Sequence, residues 1–427
     1  MDDKTLRITI GFFITYIFFG WIFSRTVYSS SLAVYICFGT LLILFMLAFV
    51  SRSRKIRVNG ILGSWLFYLL LTICGYLIQT KFEYFSYWTI CLIIICLIPR
   101  IDNYHTIFAE KLLLLIGIFS CIGLLSQLFL PSLYNAYIAP LFLNRDILSL
   151  ASGEYGLSGF TYQMDTSAMP ILYAEGIYLF CTASRKKISK RRILIMALFF
   201  AFCVILTGKR LLMVIAIAAP IIVYVVSLNS FKKRIIVIIG SVATLILAYN
   251  ILIFFAPSLI NVPYFGRLVR SLMNYKVLDV TSGRTDLYRI AIALFKSNPL
   301  FGIGVGNFAS VSGAKTDVHN TYLQVLCEQG IIGFIPYILG IVSTIIYTIS
   351  ILRNEDMSIE DRSICKFSVF VQIIYVIYSF TGNLNTNMFG YCIYFYSISF
   401  LPCIVNKNRK ETSYDYKADP KQNSWRN

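Results

Sequence analysis

Charge is what this sequence has least of. Of 427 residues only 14% are Asp, Glu, Lys or Arg, and just two are histidine. A soluble domain of average composition carries about 25% charged residues. With 58% hydrophobic residues and a mean hydropathy of +0.73, a water-soluble fold is excluded. His105 and His319 are too far apart in sequence to suggest a histidine cluster. Asp317 with His319 offers two ligands at most, short of a divalent site, and no metal or cofactor is expected. There is no CxxC pair, so neither a disulfide scaffold nor a thiolate metal site is supported. Nine of the eleven cysteines fall inside apolar runs and Cys327 and Cys365 at span ends, where they act as small apolar filler.

What the chain does have is a succession of apolar runs, each suited to about 30 Å of hydrocarbon. Spans are predicted near 8–23, 31–50, 61–79, 85–98, 108–130, 166–183, 193–207, 210–228, 235–256, 320–352, 365–381 and 387–405. The reading is an all-α polytopic integral membrane protein of about twelve transmembrane helices in one domain, 1–406, with a disordered cytoplasmic tail, 407–427. The first apolar run lacks a small-residue cleavage site and is read as a span rather than a signal peptide. The net charge of +18 sits largely in short loops, including Arg52–Arg57, Arg185–Arg192 and Lys232–Arg234. Short basic loops mark the cytoplasmic side, so the excess reflects orientation and not nucleic-acid binding. Both termini are then cytoplasmic, and two long loops, 131–165 and 257–318, face outside. The spans themselves are nearly free of charge, which counts against a transporter with ionisable groups at mid-membrane.

One polar island interrupts this pattern, the segment 282–333 (SGRTDLYRIAIALFKSNPLFGIGVGNFASVSGAKTDVHNTYLQVLCEQGIIG). Leu287, Ile290, Ala291, Leu294 and Phe295 recur at i, i+3, i+4, i+7, i+8, the stripe of an amphipathic helix near 284–298. Ser282 caps it and Asn298-Pro299 ends it. Such a helix lies on the membrane surface or covers the bundle mouth. Arg289 and Lys296 then face away from the stripe, either to meet an anionic ligand or as a solvated basic face. His319, in an HN pair with Asn320, is placed in the first turn of the tenth span. The helix dipole there keeps an imidazole neutral and able to accept a proton; the plainer reading is a headgroup-level histidine. Gly208 turns a minimal hairpin and leaves Lys209 and Arg210 at a helix N-terminus, an anion site or two snorkelling cations. The run Gly302–Gly306 lacks the preceding strand and later acidic residue of a nucleotide loop and reads as a tight turn.

The SGR of 282–284, the NPLFGIGVGNF of 298–308, the HNTYLQVLCEQGIIG of 319–333 and the upstream TGKR hairpin of 207–210 together resemble the O-antigen ligase/polymerase superfamily. These are integral membrane glycosyltransferases of bacterial surface polysaccharides. The resemblance covers the second half of the chain in detail and the first half only in its succession of spans. Where the family often has a serine before the hairpin arginine, this chain has Lys209. The resemblance implies a metal-independent transfer from an undecaprenyl-diphosphate-linked glycan on the external face of the bacterial cytoplasmic membrane. It assigns Arg210 and Arg284 to the diphosphate and His319 to the acceptor hydroxyl, with Lys209, Arg289 and Asn320 as substrate contacts. Polymerisation of repeat units for O-antigen, capsule or exopolysaccharide is the favoured activity. Ligation of finished glycan onto lipid A–core is the alternative, and a polysaccharide flippase is a third. A glycan acceptor, membrane lipid, a chain-length regulator and a flippase are the expected partners.

Overall fold

The structure is a computed structural model. It describes residues 60–79, most of 88–95, 103–142, 156–259 and 284–405, apart from scattered positions within these ranges. The spans expected at 8–23 and 31–50, most of 85–98, the Ser282 cap and the tail 407–427 lie outside the described residues.

Every regular element among the described residues is helical. In chain order these are α1 (Gly60–Ile78), α2 (Asn103–Phe129), α3 (Met164–Gly176), α4 (Lys190–Leu206), α5 (Arg210–Ser227) and α6 (Phe231–Leu259). They continue as α7 (Arg284–Ser297), α8 (Phe308–Ser312), α9 (Thr321–Leu352), α10 (Ile359–Tyr378) and α11 (Met388–Ser399). A wider-wound turn, Ile177–Thr182, carries α3 on to Arg185. In lipid a helix succeeds because it satisfies its own backbone groups. Three segments are long and apolar enough to cross a membrane by length and composition: Glu110–Phe129, Arg210–Ser227 and Thr321–Leu352. The protein is an integral membrane protein, and these three segments fall on the spans expected at 108–130, 210–228 and 320–352. Large apolar side chains such as Leu194, Leu198, Ile236, Ile239 and Ile346 are exposed, a liability in water and the expected surface against lipid tails.

Close packing between helices uses small residues. α2 lies along α3 where Gly117 meets Ala174 and the Pro170 carbonyl, and α9 lies along α1 where Gly340 makes room for Trp65. The Trp65 indole N–H donates to Thr344 Oγ1 at 3.0 Å. Tyr68, Tyr337, Tyr394 and Phe395 surround its ring at centroid distances of 5.1–5.9 Å, edge to face, tying α1, α9 and α11 together.

The helix directions separate two ends. At one, Arg185 Nη1 meets Glu110 Oε2 at 2.9 Å and Asn229 Nδ2 donates to Glu355 Oε1 at 2.7 Å. The basic loops around 185–192 and 232–234 sit at this end. At the other end lie Asp165, Lys209, Arg210, Arg284 and His319.

The structure adds to one expectation and corrects two others. The loop 131–165, expected to face outside, packs against the bundle at its described end. Residues 156–161 fold back into the bundle, where Gln127 Oε1 accepts from the backbone N–H of Ser158 (3.0 Å) and Gly159 (2.8 Å), and Leu157 N donates to Leu206 O at 2.9 Å. A buried loop must satisfy its backbone groups, and the polar Gln127 near the end of α2 does this. The spans are also less free of charge than expected: Glu110, Glu175 and Glu328 are all buried in helices. Finally, α9 is not one continuous helix.

Gly330 breaks it, with φ +60° and ψ −163°, a region essentially reserved for glycine. The carbonyls freed at Cys327 and Glu328 accept from Ile303 N and Gly304 N, both at 2.9 Å. Past the break, Ile331 N donates to Pro299 O at 2.9 Å and Ile332 N to Leu300 O at 3.2 Å. The glycine-rich run is therefore laced into the gap in α9, so close that a Cβ on Gly302 would strike the Glu328 backbone. Glu328 Oε1 in turn accepts from Phe308 N at 3.1 Å, which anchors α8.

Candidate active site

The site is assembled around the turn that follows α10. Thr321 N donates to Ser379 O at 2.8 Å, Thr321 Oγ1 donates to Gly382 O at 3.0 Å, and Leu384 N donates to Thr321 Oγ1 at 3.0 Å. These bonds pin the head of α9 to residues 379–384. Arg284, the first residue of α7, reaches the same turn and donates from Nη1 to Thr381 O at 2.6 Å. Tyr378, the last residue of α10, donates its hydroxyl to Asp165 Oδ2 at 3.0 Å.

His319 does not stand in the first turn of α9 as expected. Asn320 is the N-cap, its side-chain oxygen accepting from Leu323 N at 3.0 Å, and His319 precedes it with φ +56°. A non-glycine residue in this left-handed region is uncommon and marks a position held by its neighbours. On one side the Asn320 cap holds it. On the other, Val318 is fully buried with Ala291, Phe308 and Cys327 beneath the apolar stripe of α7. The amphipathic helix thus covers the head of the bundle, one of the two expected placements. His319 Nε2 lies 3.2 Å from Thr316 Oγ1. When Nε2 carries the proton and donates to Thr316, Nδ1 presents a lone pair.

The imidazole is held below its ordinary pKa. Burial is the main cause, the Arg284 guanidinium adds to it, and Lys209 contributes in the same direction; Asp317 and Asp165 oppose it. The neutral imidazole anticipated from the helix dipole therefore has a different origin, desolvation and nearby cations. Lys209 is the N-cap residue of α5, after the turn at Gly208 (φ +68°), and its Nζ lies 3.7 Å from Asp165 Oδ1. Arg210 follows as the half-buried first residue of α5.

The sequence-assigned residues do not all gather. Arg284 and Lys209 both lie within electrostatic reach of His319, with Arg210 next to Lys209 in the chain. Asn320 serves as the cap that sets His319. Arg289 stands on the outer face of α7, 77% exposed and 3.4 Å from Asp286. Residues that sequence reasoning passed over are Asp165, Tyr378 and Thr381, together with Gln324, whose Nε2 donates to Asp317 Oδ1 at 3.4 Å and Glu328 Oε1 at 3.3 Å. The polar run SFTGNLNTN at 379–387, between two apolar runs, is the signal that marked the turn. Among the described residues no group of three or more His, Cys, Asp or Glu side chains could hold a metal ion.

Cations and a half-buried imidazole thus lie together at one end of an apolar helix bundle. Comparison with known proteins adds to this. Residues 195–338 match the O-antigen ligase family model, so this stretch is similar to that family. The matched stretch holds the α4–α5 hairpin, α7 and the head of α9, and leaves Asp165 and the 378–384 turn outside. An uncharacterized protein of Haemophilus influenzae is 28% identical over 123 residues, an alignment that covers 25% of this chain and 30% of that protein.

Proposed function

We propose that the chain is a membrane glycosyltransferase that uses an undecaprenyl-diphosphate-linked glycan as donor, and that its reaction is polymerisation of oligosaccharide repeat units for a bacterial surface polysaccharide. The observation that carries this reading is the neutral, half-buried His319 beside Arg284 and Lys209 at the mouth of an apolar bundle.

The acceptor hydroxyl oxygen attacks the anomeric carbon of the donor. The bond from that carbon to the diphosphate oxygen breaks, and its electron pair leaves with the diphosphate. The hydroxyl proton passes to His319 Nδ1. A diphosphate departs as a stable anion and needs no general acid. It does need fixed positive charge, which Arg284, Arg210 and Lys209 supply without reorganisation at the moment of reaction. The apolar spans beside the site hold the polyprenyl tail, and the reaction faces the outside of the cytoplasmic membrane, opposite the basic loops.

Ligation of finished glycan to lipid A–core is the second reading, favoured by the O-antigen ligase description of the matched family. The two differ in acceptor. Surface glycan from a strain lacking the chain separates them on a gel. Loss of polymerisation leaves single repeats attached, whereas loss of ligation leaves polymer on the carrier lipid. A glycan profile unchanged by the deletion contradicts both.

A further inference from the structure

Asp165 is the one acidic residue in the first turn of α3, in a part of the chain that the matched family region does not include. Its two oxygens have unlike surroundings. Oδ2 is fixed by the Tyr378 hydroxyl at 3.0 Å. Oδ1 is buried and accepts no hydrogen bond among the described residues. Its nearest cation, Lys209 Nζ, is 3.7 Å away, an ion pair too long to be a hydrogen bond. A carboxylate oxygen withdrawn from water without a donor is costly, so a hydrogen-bond donor that arrives with substrate would be favoured there.

Charge supplies the rest of the argument. Lys209 is a mobile ammonium on a four-carbon stem, 37% exposed, at the head of α5. A diphosphate carries more negative charge than one carboxylate and draws Lys209 toward itself. Asp165 Oδ1 would then be left bare beside an anion unless it gains a hydrogen-bond donor. A sugar is the donor that the reaction brings.

We propose that Asp165 is the acceptor-binding carboxylate of this site: it restrains Lys209 while the site is empty, and once a polyprenyl diphosphate has drawn Lys209 away, Oδ1 binds a hydroxyl of the acceptor sugar next to the one that attacks. This rests on the transfer reading above. Tyr378 keeps the carboxylate pointed, and the neighbouring hydroxyl remains for His319, on which Asp165 already acts electrostatically.

The test uses the full chain in lipid nanodiscs, with farnesyl diphosphate as the binding probe and the carrier-linked glycan of the native host as the transfer substrate. Asp165→Asn keeps the shape and removes the charge. Farnesyl diphosphate then binds about 3-fold more tightly, because Lys209 is no longer shared. Transfer falls about 10-fold or more, the loss of one charge-assisted hydrogen bond to the acceptor. Tyr378→Phe removes one hydroxyl and lowers transfer less, with diphosphate binding unchanged. Opposite signs in the two readouts are the signature, since a damaged fold lowers both. Weaker diphosphate binding by Asp165→Asn, or wild-type transfer, overturns the inference and leaves the transfer reading intact. Failure of the wild-type chain to bind farnesyl diphosphate overturns the transfer reading itself, and this inference with it.

Discussion

Replacing Gly330 by alanine attacks the feature on which the site's scaffold depends. A Cβ at that position would lie inside the contact distance of the Leu300 carbonyl, which is backbone and cannot swing away. The φ of +60° with ψ −163° adds about 1–3 kcal/mol of strain for a residue that has a side chain. Relief requires the 299–304 strand of chain to lift off α9. That movement loosens four backbone hydrogen bonds, those of Ile303, Gly304, Ile331 and Ile332, each worth roughly 0.5–1.5 kcal/mol net. Together the cost is about 3–9 kcal/mol if all four bonds are lost, a large share of the 5–15 kcal/mol typical of a folded domain. Thermal unfolding in detergent with a thiol-reactive dye measures it. Every described cysteine but Cys74 is buried, and Cys327 lies one turn before the break. Gly330→Ala lowers the midpoint by about 5 °C or more. Gly63→Ala, in α1 with open space around it, leaves the midpoint unchanged or slightly raised. Equal midpoints for Gly330→Ala and wild type would mean that α9 is unbroken and that the glycine-rich run is not laced to it.

Three further outcomes follow from the site. Histidine-selective isotope labelling gives two signals, His105 and His319, and His319 titrates below the ordinary 6.5 of a free imidazole. A lowered pKa enlarges the neutral fraction at any given pH, so the acid limb of the transfer rate lies below that of free imidazole; Lys209→Gln moves it up and Asp165→Asn moves it down. A His319 pKa above 6.5 contradicts the electrostatic account. Asn320→Ala removes the cap of α9 and costs about 1 kcal/mol, while Asn320→Asp keeps it, both read from the unfolding midpoint. Val318→Ala opens a void under α7 and costs roughly 1–3 kcal/mol, with transfer falling as His319 loses its seat.

Helix positions were legible because apolar runs and their punctuation are local signals. The expected span 210–228 is Arg210–Ser227, and the amphipathic helix expected near 284–298 is Arg284–Ser297, ended before Asn298-Pro299 as the proline requires. His319, Arg284 and the Lys209–Arg210 hairpin stood out because a polar residue in an apolar chain needs a reason. What escaped were features created by tertiary contact. The break in α9 requires the glycine-rich run to arrive from elsewhere and take over the freed carbonyls. Its trace in the sequence is the polar Glu328-Gln329 pair before Gly330, inside a run otherwise read as one span. Asp165 lay at the end of a loop expected outside, and nothing local says that this loop turns back against Leu206. Asn320 read as a substrate contact because its capping role depends on where α9 begins, a boundary that hydropathy locates only within a few residues.

The central claim is that a neutral imidazole and neighbouring cations carry out glycan transfer from a diphosphate carrier. Its most direct test is the transfer rate of the full chain, reconstituted with carrier-linked glycan, for His319→Ala and Arg284→Ala at wild-type protein level and unfolding midpoint. The expected result is a loss of roughly 10²-fold or more for each. Transfer by either variant within a few-fold of wild type would contradict it.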